Sequence, residues 1–459
     1  MTKLQMKEEA KIADESILPG KAGRELCGLG NAALFIILVA IVLLNGCSTE
    51  MAGGIGPDKD LVYGQGWSAP HSDRSNSDYS PVTGSMNLAL AWERKFSQGQ
   101  IYLGSTSDDQ GHMYVTTSAP GCHLYALDQT TGQPLWCLNR INAQAIASSA
   151  SIERDGNVYV ADNKFMFGFD RDGNILWQTP IVGTTLSVQF TPSGRIIFIT
   201  HIGRIYVLDR ETGEPVFSPI GFIPGMTYDP DAPEQPDTAC MSDTKDYPSA
   251  NTIAVDQRTG DFFFAFFAPE SEFAELRAMR YMENSAPSIS HLLINRNLPG
   301  GSESSLTLSS DGKRVYVNDN VNSVHAKENM TGETIWSYAI GWASGGSASL
   351  SPEWIIMPAG SGFLMSIIDG GKNAELLWKR EELKNSSIAA QVANNLAYAM
   401  VERAPGTFEN DFIAVNTRTG AVLDRESLSG KTIFSEGTTI GMDGAVYVST
   451  INGEFILYG

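Results

Sequence analysis

Tyr125-Ala126-Leu127-Asp128-Gln129-Thr130-Thr131-Gly132-Gln133-Pro134-Leu135-Trp136 reads as a strand, a tight turn and a second strand that ends on a large aromatic. The apolar positions before the Asp alternate, as in a strand with one buried face. The Asp128 carboxylate can accept bonds from backbone N–H groups two or three residues on and so close the turn. Gly132 supplies the positive φ that a short hairpin needs. Trp136 is large enough to fill the space between packed sheets while its indole N–H finds a carbonyl.

Versions of this stretch recur: Asp170, Gly173 and Trp177; Asp209, Gly213 and Phe217; Lys327, Gly332 and Trp336; Ser366 to Trp378; and Asn416 to Leu423. Corresponding positions Ala126, Gly168, Val207, Ala326, Ser366, Ala414 and Ile456 lie 42, 39, 119, 40, 48 and 42 residues apart. A fixed interval of this length marks a repeat architecture, which evades the ~250–300-residue ceiling on a single core. The long interval suits one extra, enlarged unit starting at Asn251-Thr252-Ile253-Ala254-Val255-Asp256 and including Leu276–Arg280 and His291–Ile294.

The ends of the chain complement each other. Leu88-Ala89-Leu90-Ala91-Trp92 matches the close of a repeat without the strands before it, and those strands stand at Gly437–Ser449 and Glu454–Gly459. The N-terminal strand therefore completes the last sheet, which closes a ring and removes open edges. The fold expected is all-β, an eight-bladed β-propeller over residues 67–459, with seven blades as the alternative if the fourth is an insertion.

Residues 1–46 read as an address. A 13-residue apolar run, Ala32–Leu44, follows Lys21 and Arg24, the order of an export signal. Leu44-Asn45-Gly46-Cys47 resembles a bacterial lipobox, which implies cleavage between Gly46 and Cys47 and lipidation of Cys47. The competing reading is an uncleaved anchor, for which the run is short against the ~20 residues of a spanning helix. Residues 47–66, rich in Gly and Pro, read as a flexible tether. Both readings place the domain outside the cytoplasm.

Lys and Arg number 32 against 52 Asp and Glu, a formal charge of −20, which leaves no basic footprint for nucleic acid. Export permits a disulfide, and Cys122 and Cys137 flank the first hairpin, either bonded across it or as two buried thiols. His71, His112, His123, His201, His291 and His325 show no metal-ligand spacing. Of these, His123 and His201 stand where they could approach a channel mouth. Ser344-Gly345-Gly346-Ser347 lacks the nucleophile-elbow pattern and reads as a loop. The most individual region is Ile223–Ala250 with Pro269–Glu275, carrying Asp229, Asp231, Glu234, Asp237, Asp243 and Asp246 but no calcium-loop ladder. It reads as a solvated elaboration of blade four or a docking lip.

The Ala-x-Asp-x-x-Thr-Gly-x-x-x-Trp pattern resembles the repeat of pyrroloquinoline-quinone-type (PQQ-like) propellers. One branch of that family, the quinoprotein dehydrogenases, implies a quinone and Ca²⁺ on the axis. The other, lipid-anchored BamB-like propellers, implies no catalysis and no cofactor. No two cysteines here are adjacent, unlike the vicinal pair of methanol-type dehydrogenases. The expectation is a non-enzymatic, lipid-anchored envelope scaffold facing the periplasm from the outer membrane and binding a protein partner. A carbohydrate- or ligand-binding surface lipoprotein and a quinone dehydrogenase are the alternatives.

Overall fold

The computed structural model describes residues 62–223, 248–302, 304–360, 362–404, 406–430, 435 and 437–459. Gly46, Cys47, Cys240 and the acidic residues from Asp229 to Asp246 lie outside them. Among the described residues there is one short 3-10 helix, Ala143–Ala147, and otherwise strand, turn and loop.

The strands of the described residues form seven hydrogen-bonded sheets. A typical one consists of Thr106–Ser107, His112–Thr116, Leu124–Asp128 and Pro134–Leu138, each antiparallel to the next. The second strand is buried along nearly its whole length, and the fourth alternates exposed and half-buried residues. That gradient is what a sheet packed on both faces, with one outer edge strand, requires.

Ring closure follows the complementarity of the ends. Leu90–Lys95 pairs antiparallel with Glu454–Tyr458, from Leu90↔Tyr458 to Lys95↔Glu454, and completes the sheet of Gly437–Ile440 and Val446–Ser449. One sheet has nine strands because two four-stranded meanders, Ser349–Asn385 and Ala390–Ser427, are joined where the long strand Ala374–Asn385 pairs with Leu396–Glu402, and Tyr79–Ser80 adds a ninth strand beside Gln391–Val392.

The enlarged unit is a sheet in its own right, with Ser249–Ala250, Ala254–Asp256, Asp261–Phe267, Phe273–Met282 and Ser288–Pro299. The stretch 269–275, read as part of a solvated elaboration or docking lip, is strand from Phe273 on. A second correction concerns Phe217. The sheet of Gln189–Phe190, Ile196–Ile199 and Arg204–Leu208 takes Ile220–Gly221 as its outer strand, and Phe217 packs on Tyr281 instead. Pro215 and Pro219 supply no N–H to a ladder, which delays the pairing. Third, Val62 and Tyr63, placed in the tether by their sequence, are packed in a core with Phe190 and Tyr159. Cys122 and Cys137 are bonded as a disulfide, with Cα atoms 5.7 Å apart.

Candidate functional site at the axis of the ring

The repeat residues sit at the seams between sheets. Asp128 accepts bonds from Thr131 N–H and its hydroxyl, each at 2.7 Å, so the turn closes with Gly132 at φ 66°. Asp170 and Asp209 do the same for Asn174 and Thr212. Five tryptophans donate their indole N–H across a seam: Trp92 to Gln129 O, Trp136 to Arg171 O, Trp177 to Arg210 O, Trp378 to Thr417 O and Trp336 to Asp369 Oδ1. The turn glycines receive those rings. A Cβ on Gly132, Gly173 or Gly213 would lie 2.7, 2.9 or 2.5 Å from Trp92, Trp136 or Trp177. These residues do structural work at every seam they occupy.

The axis holds something that the sequence did not announce. Carbonyls of one short segment accept a bond from the first strand of sheet after sheet. Trp67 O takes Ser107 N–H, Ser68 O takes Ile152 N–H, Arg74 O takes Val255 N–H, Ser75 O takes Leu308 N–H, Ser77 O takes Leu350 N–H and Asp78 O takes Gln391 N–H. Tyr63 reaches a further sheet, its hydroxyl accepting Phe190 N–H at 2.9 Å, and Tyr79–Ser80 runs parallel to Gln391–Val392. A segment that touches the innermost strands of successive sheets in order can only lie at the centre of the ring.

Its sequence explains how it stays there. Wholly buried Asn76 donates through Nδ2 to Ile253 O at 3.2 Å and Leu306 O at 3.0 Å, and its Oδ1 accepts Gln189 Nε2 at 3.2 Å. Asp73 accepts Ser75 N–H and the Ser77 hydroxyl, at 2.8 and 2.9 Å. Asp78 lies 2.9 Å from His71 Nδ1. Burial pushes both carboxyls above the ordinary carboxylate range, against these bonds. Ser72, Asn76 and Asp78 all adopt positive φ, at 71, 56 and 49°. Small polar residues tolerate that region best, and such clusters mark functional or tightly constrained segments.

A second set of bonds ties the first strands to one another. Ser149 Oγ donates to Gly104 O, Ser151 Oγ to Val188 O, Thr307 Oγ1 to Ala348 O and Thr439 Oγ1 to Ser105 O, between 2.7 and 2.9 Å. The sequence signal is a Ser-x-Ser/Thr pair at the head of a repeat, as in Ser149-Ala150-Ser151, Ser305-Leu306-Thr307 and Ser347-Ala348-Ser349. It went unread because serine looks like loop filler.

Above the turn at Pro70 and His71, the ring encloses a cavity of about 60 Å³ walled by Leu103, Leu186, Asn251 and Gly345. The histidine that lines it is His71. His123 instead bonds Thr117 O and buried His201 accepts Thr184 N–H, so neither reaches the cavity wall. The volume suits a few waters, not a ligand of the usual ~300–1,000 Å³ pocket class. A quinone does not fit this axis, because residues 67–80 fill it and their carboxylates are engaged within the segment itself.

A family profile described as "Outer membrane protein assembly factor BamB" matches residues 89–215 and 275–458, more than half of the chain. The unmatched interval holds the end of the third sheet and the start of the enlarged one. Protein Rv3035 of Mycobacterium tuberculosis is 25% identical over 396 residues, 85% of this chain and 95% of its own. Among solved structures, a quinohemoprotein alcohol dehydrogenase from Comamonas testosteroni superposes with a TM-score of 0.60 at 14% identity, over 86% of this chain and 80% of that one. BamB from Moraxella catarrhalis gives 0.55 at 14% identity, over 81% of this chain and 99% of that one. At such identities these two share the fold and nothing finer. With its repeats, its closed ring and the profile match, the chain belongs to the PQQ-like repeat family of the outer membrane protein assembly factor BamB.

Proposed function

We propose that the chain is an eight-bladed propeller, lipid-anchored at Cys47, that serves as a protein-interaction scaffold in outer-membrane protein assembly and faces the periplasm. The count of eight takes the nine-stranded sheet as two joined blades. The observation that carries the scaffold reading is the filled axis. With residues 67–80 bonded to the inner strands, the surfaces left for work are the loops at the two faces and the outer strands. Such a ring offers rigid loops and asks for no cofactor. The small axial cavity lends little support to a carbohydrate- or ligand-binding reading.

Two experiments test this. Deleting the gene should lower the level of folded outer-membrane β-barrel proteins, and unchanged levels would remove the assembly role. Cys47→Ser should move the protein from the membrane to the soluble fraction, and continued membrane association would remove the lipid anchor. Crosslinking in the native membrane then identifies the partner and the face it uses.

A further inference from the structure

The seam between the enlarged sheet and its successor differs from the five at which a tryptophan docks. It has no docked tryptophan. Asn295 and Asn297 stand there instead, donating to Gly332 O at 3.0 and 3.3 Å. Behind them Lys327 is fully buried, its Nζ bonded to Asn297 Oδ1 at 2.7 Å and Thr334 Oγ1 at 3.0 Å. Burial pulls its pKa down to about 8. A buried lysine held by neutral partners costs stability, and proteins keep such departures mainly where something functional depends on them.

Two residues up the same strand, His325 is 8% exposed and bonded at both nitrogens. Its Nε2 lies 2.9 Å from Asp319 Oδ2 and its Nδ1 lies 2.8 Å from Ser337 Oγ. Asp319 is fixed, because its Oδ1 accepts the N–H groups of Val321, Asn322 and Ser323 at 2.8–3.0 Å. Burial acts to raise its pKa, but the His325 bond and those donors outweigh it and hold it low. An ionised Asp319 accepts a hydrogen bond from His325 Nε2–H, which leaves the Nδ1 lone pair facing the Ser337 hydroxyl.

Ser337 itself is exposed, on the outer strand Thr334–Ala339. Ile340 N–H donates to Asn322 O, which sets the alternation of the ladder. His325 and Ser337 are then a pair without mutual backbone bonds, the kind whose side chains approach most closely. The same alternation turns the Ser337 N–H away from the neighbouring strand, toward the sheet edge. An N–H so placed can meet the oxygen of a group attached to Ser337 Oγ.

We propose that Ser337 is an activated nucleophile, with His325 as its general base and Asp319 as the positioning residue, open to small acyl and phosphonyl electrophiles. Ser337 Oγ bonds to the carbonyl carbon of an activated ester while its proton passes to His325 Nδ1. The C–O bond to the alcohol breaks and the alcohol leaves with that proton. Water, deprotonated by the same nitrogen, then hydrolyses the acyl-serine to the free acid. The rim position, without an enclosing cleft, suits small esters and selects no large acyl chain. This activity is independent of the scaffold role, so neither result decides the other.

The test uses the full chain and a fluorescent alkyl fluorophosphonate, whose P–F bond breaks as the serine O–P bond forms. Peptide mass spectrometry should place the adduct on Ser337 in native protein and find none there after heat denaturation. Ser337→Ala should abolish it, and His325→Gln should slow labelling by roughly a hundredfold or more. The rate in the parent protein should depend on pH, a dependence that a merely structural Ser–His contact would not give. Native protein that carries no adduct at Ser337, or that labels at a rate indifferent to pH and to His325→Gln, overturns the proposal. Asp319→Asn, expected to slow labelling, gives a second reading should His325→Gln fail to fold.

Discussion

Asn76→Ala is the substitution that most directly tests whether the axial segment holds the ring. The side chain is wholly buried and makes three bonds, to Ile253 O, Leu306 O and Gln189 Nε2, which stand in or just before strands of three different sheets. Truncation leaves two buried carbonyls and an amide without those bonds, at about 1–2 kcal/mol each, or about 3–6 kcal/mol in all. Alanine at the φ of 56° adds about 1–2 kcal/mol, since asparagine tolerates that region better. The sum of about 4–8 kcal/mol is a large part of the about 5–15 kcal/mol by which domains are stable. Asn76→Gly separates the two contributions, because it relieves φ and restores no bond. It should recover only the smaller share. Urea unfolding followed by tryptophan fluorescence reads both, with Met86→Ala, on a 64% exposed side chain, as the surface control. If Asn76→Ala lowers the midpoint no more than Met86→Ala does, the segment does not tie the sheets together.

Other expectations follow from the seams. Gly213→Ala should destabilise by about 1–3 kcal/mol more than Gly111→Ala, since both have positive φ but only at Gly213 does a new Cβ meet an indole, at 2.5 Å; equal melting temperatures would refute it. Trp177→Phe loses the bond to Arg210 O and should cost about 1–2 kcal/mol, against about 3–5 for Trp177→Ala, by chemical denaturation. Asp369 is buried, which acts to raise its pKa, yet bonds from Tyr316, Gly371 N–H, Arg314 and Trp336 outweigh burial and hold it low. Its folded value lies below the unfolded one, so its stabilisation is full above about pH 4 and is lost as pH falls through the folded value. The gap in urea midpoint between the parent and Asp369→Asn should therefore narrow from pH 7 to pH 3. Reducing the Cys122–Cys137 bond, which spans 15 residues, should cost up to about 3 kcal/mol, read as a lower melting temperature in reductant.

How much of this was legible depended on whether the partner of a residue is written near it. The turn Asp128-Gln129-Thr130-Thr131-Gly132 closes on itself, so its pattern declares its structure. Trp92 declared the ring closure because its own sheet is missing beside it in sequence and present at Glu454–Tyr458. Phe217 misled for a local reason, since the strand it seemed to end is interrupted by prolines that give no ladder bond. The axial segment was illegible in another way. Polar residues from His71 to Asp78 look like a loop, and only their partners, from Val255 to Gln391, show otherwise.

The same argument explains why Ser337 could not be found by motif. Asp319, His325 and Ser337 match no linear signature, because nothing about their spacing fixes which faces they share. The register Val324↔Tyr338, His325↔Ser337 does fix it. Repeat proteins make such encounters frequent, since every repeat offers the same cross-strand positions with different residues in them. The place to look is therefore where one repeat departs from its siblings. One such place, besides the repeats that close on Phe217 and Leu423, is the seam at which Asn295 and Asn297 stand in for tryptophan. A seam that gives up the burial of an indole forgoes about 3–5 kcal/mol of packing, to judge by tryptophan truncations. If the polar seam is only tolerated, Asn295→Trp should stabilise the ring and leave fluorophosphonate labelling of Ser337 unchanged. If it serves the serine, the same substitution should alter the labelling rate, whatever it does to stability.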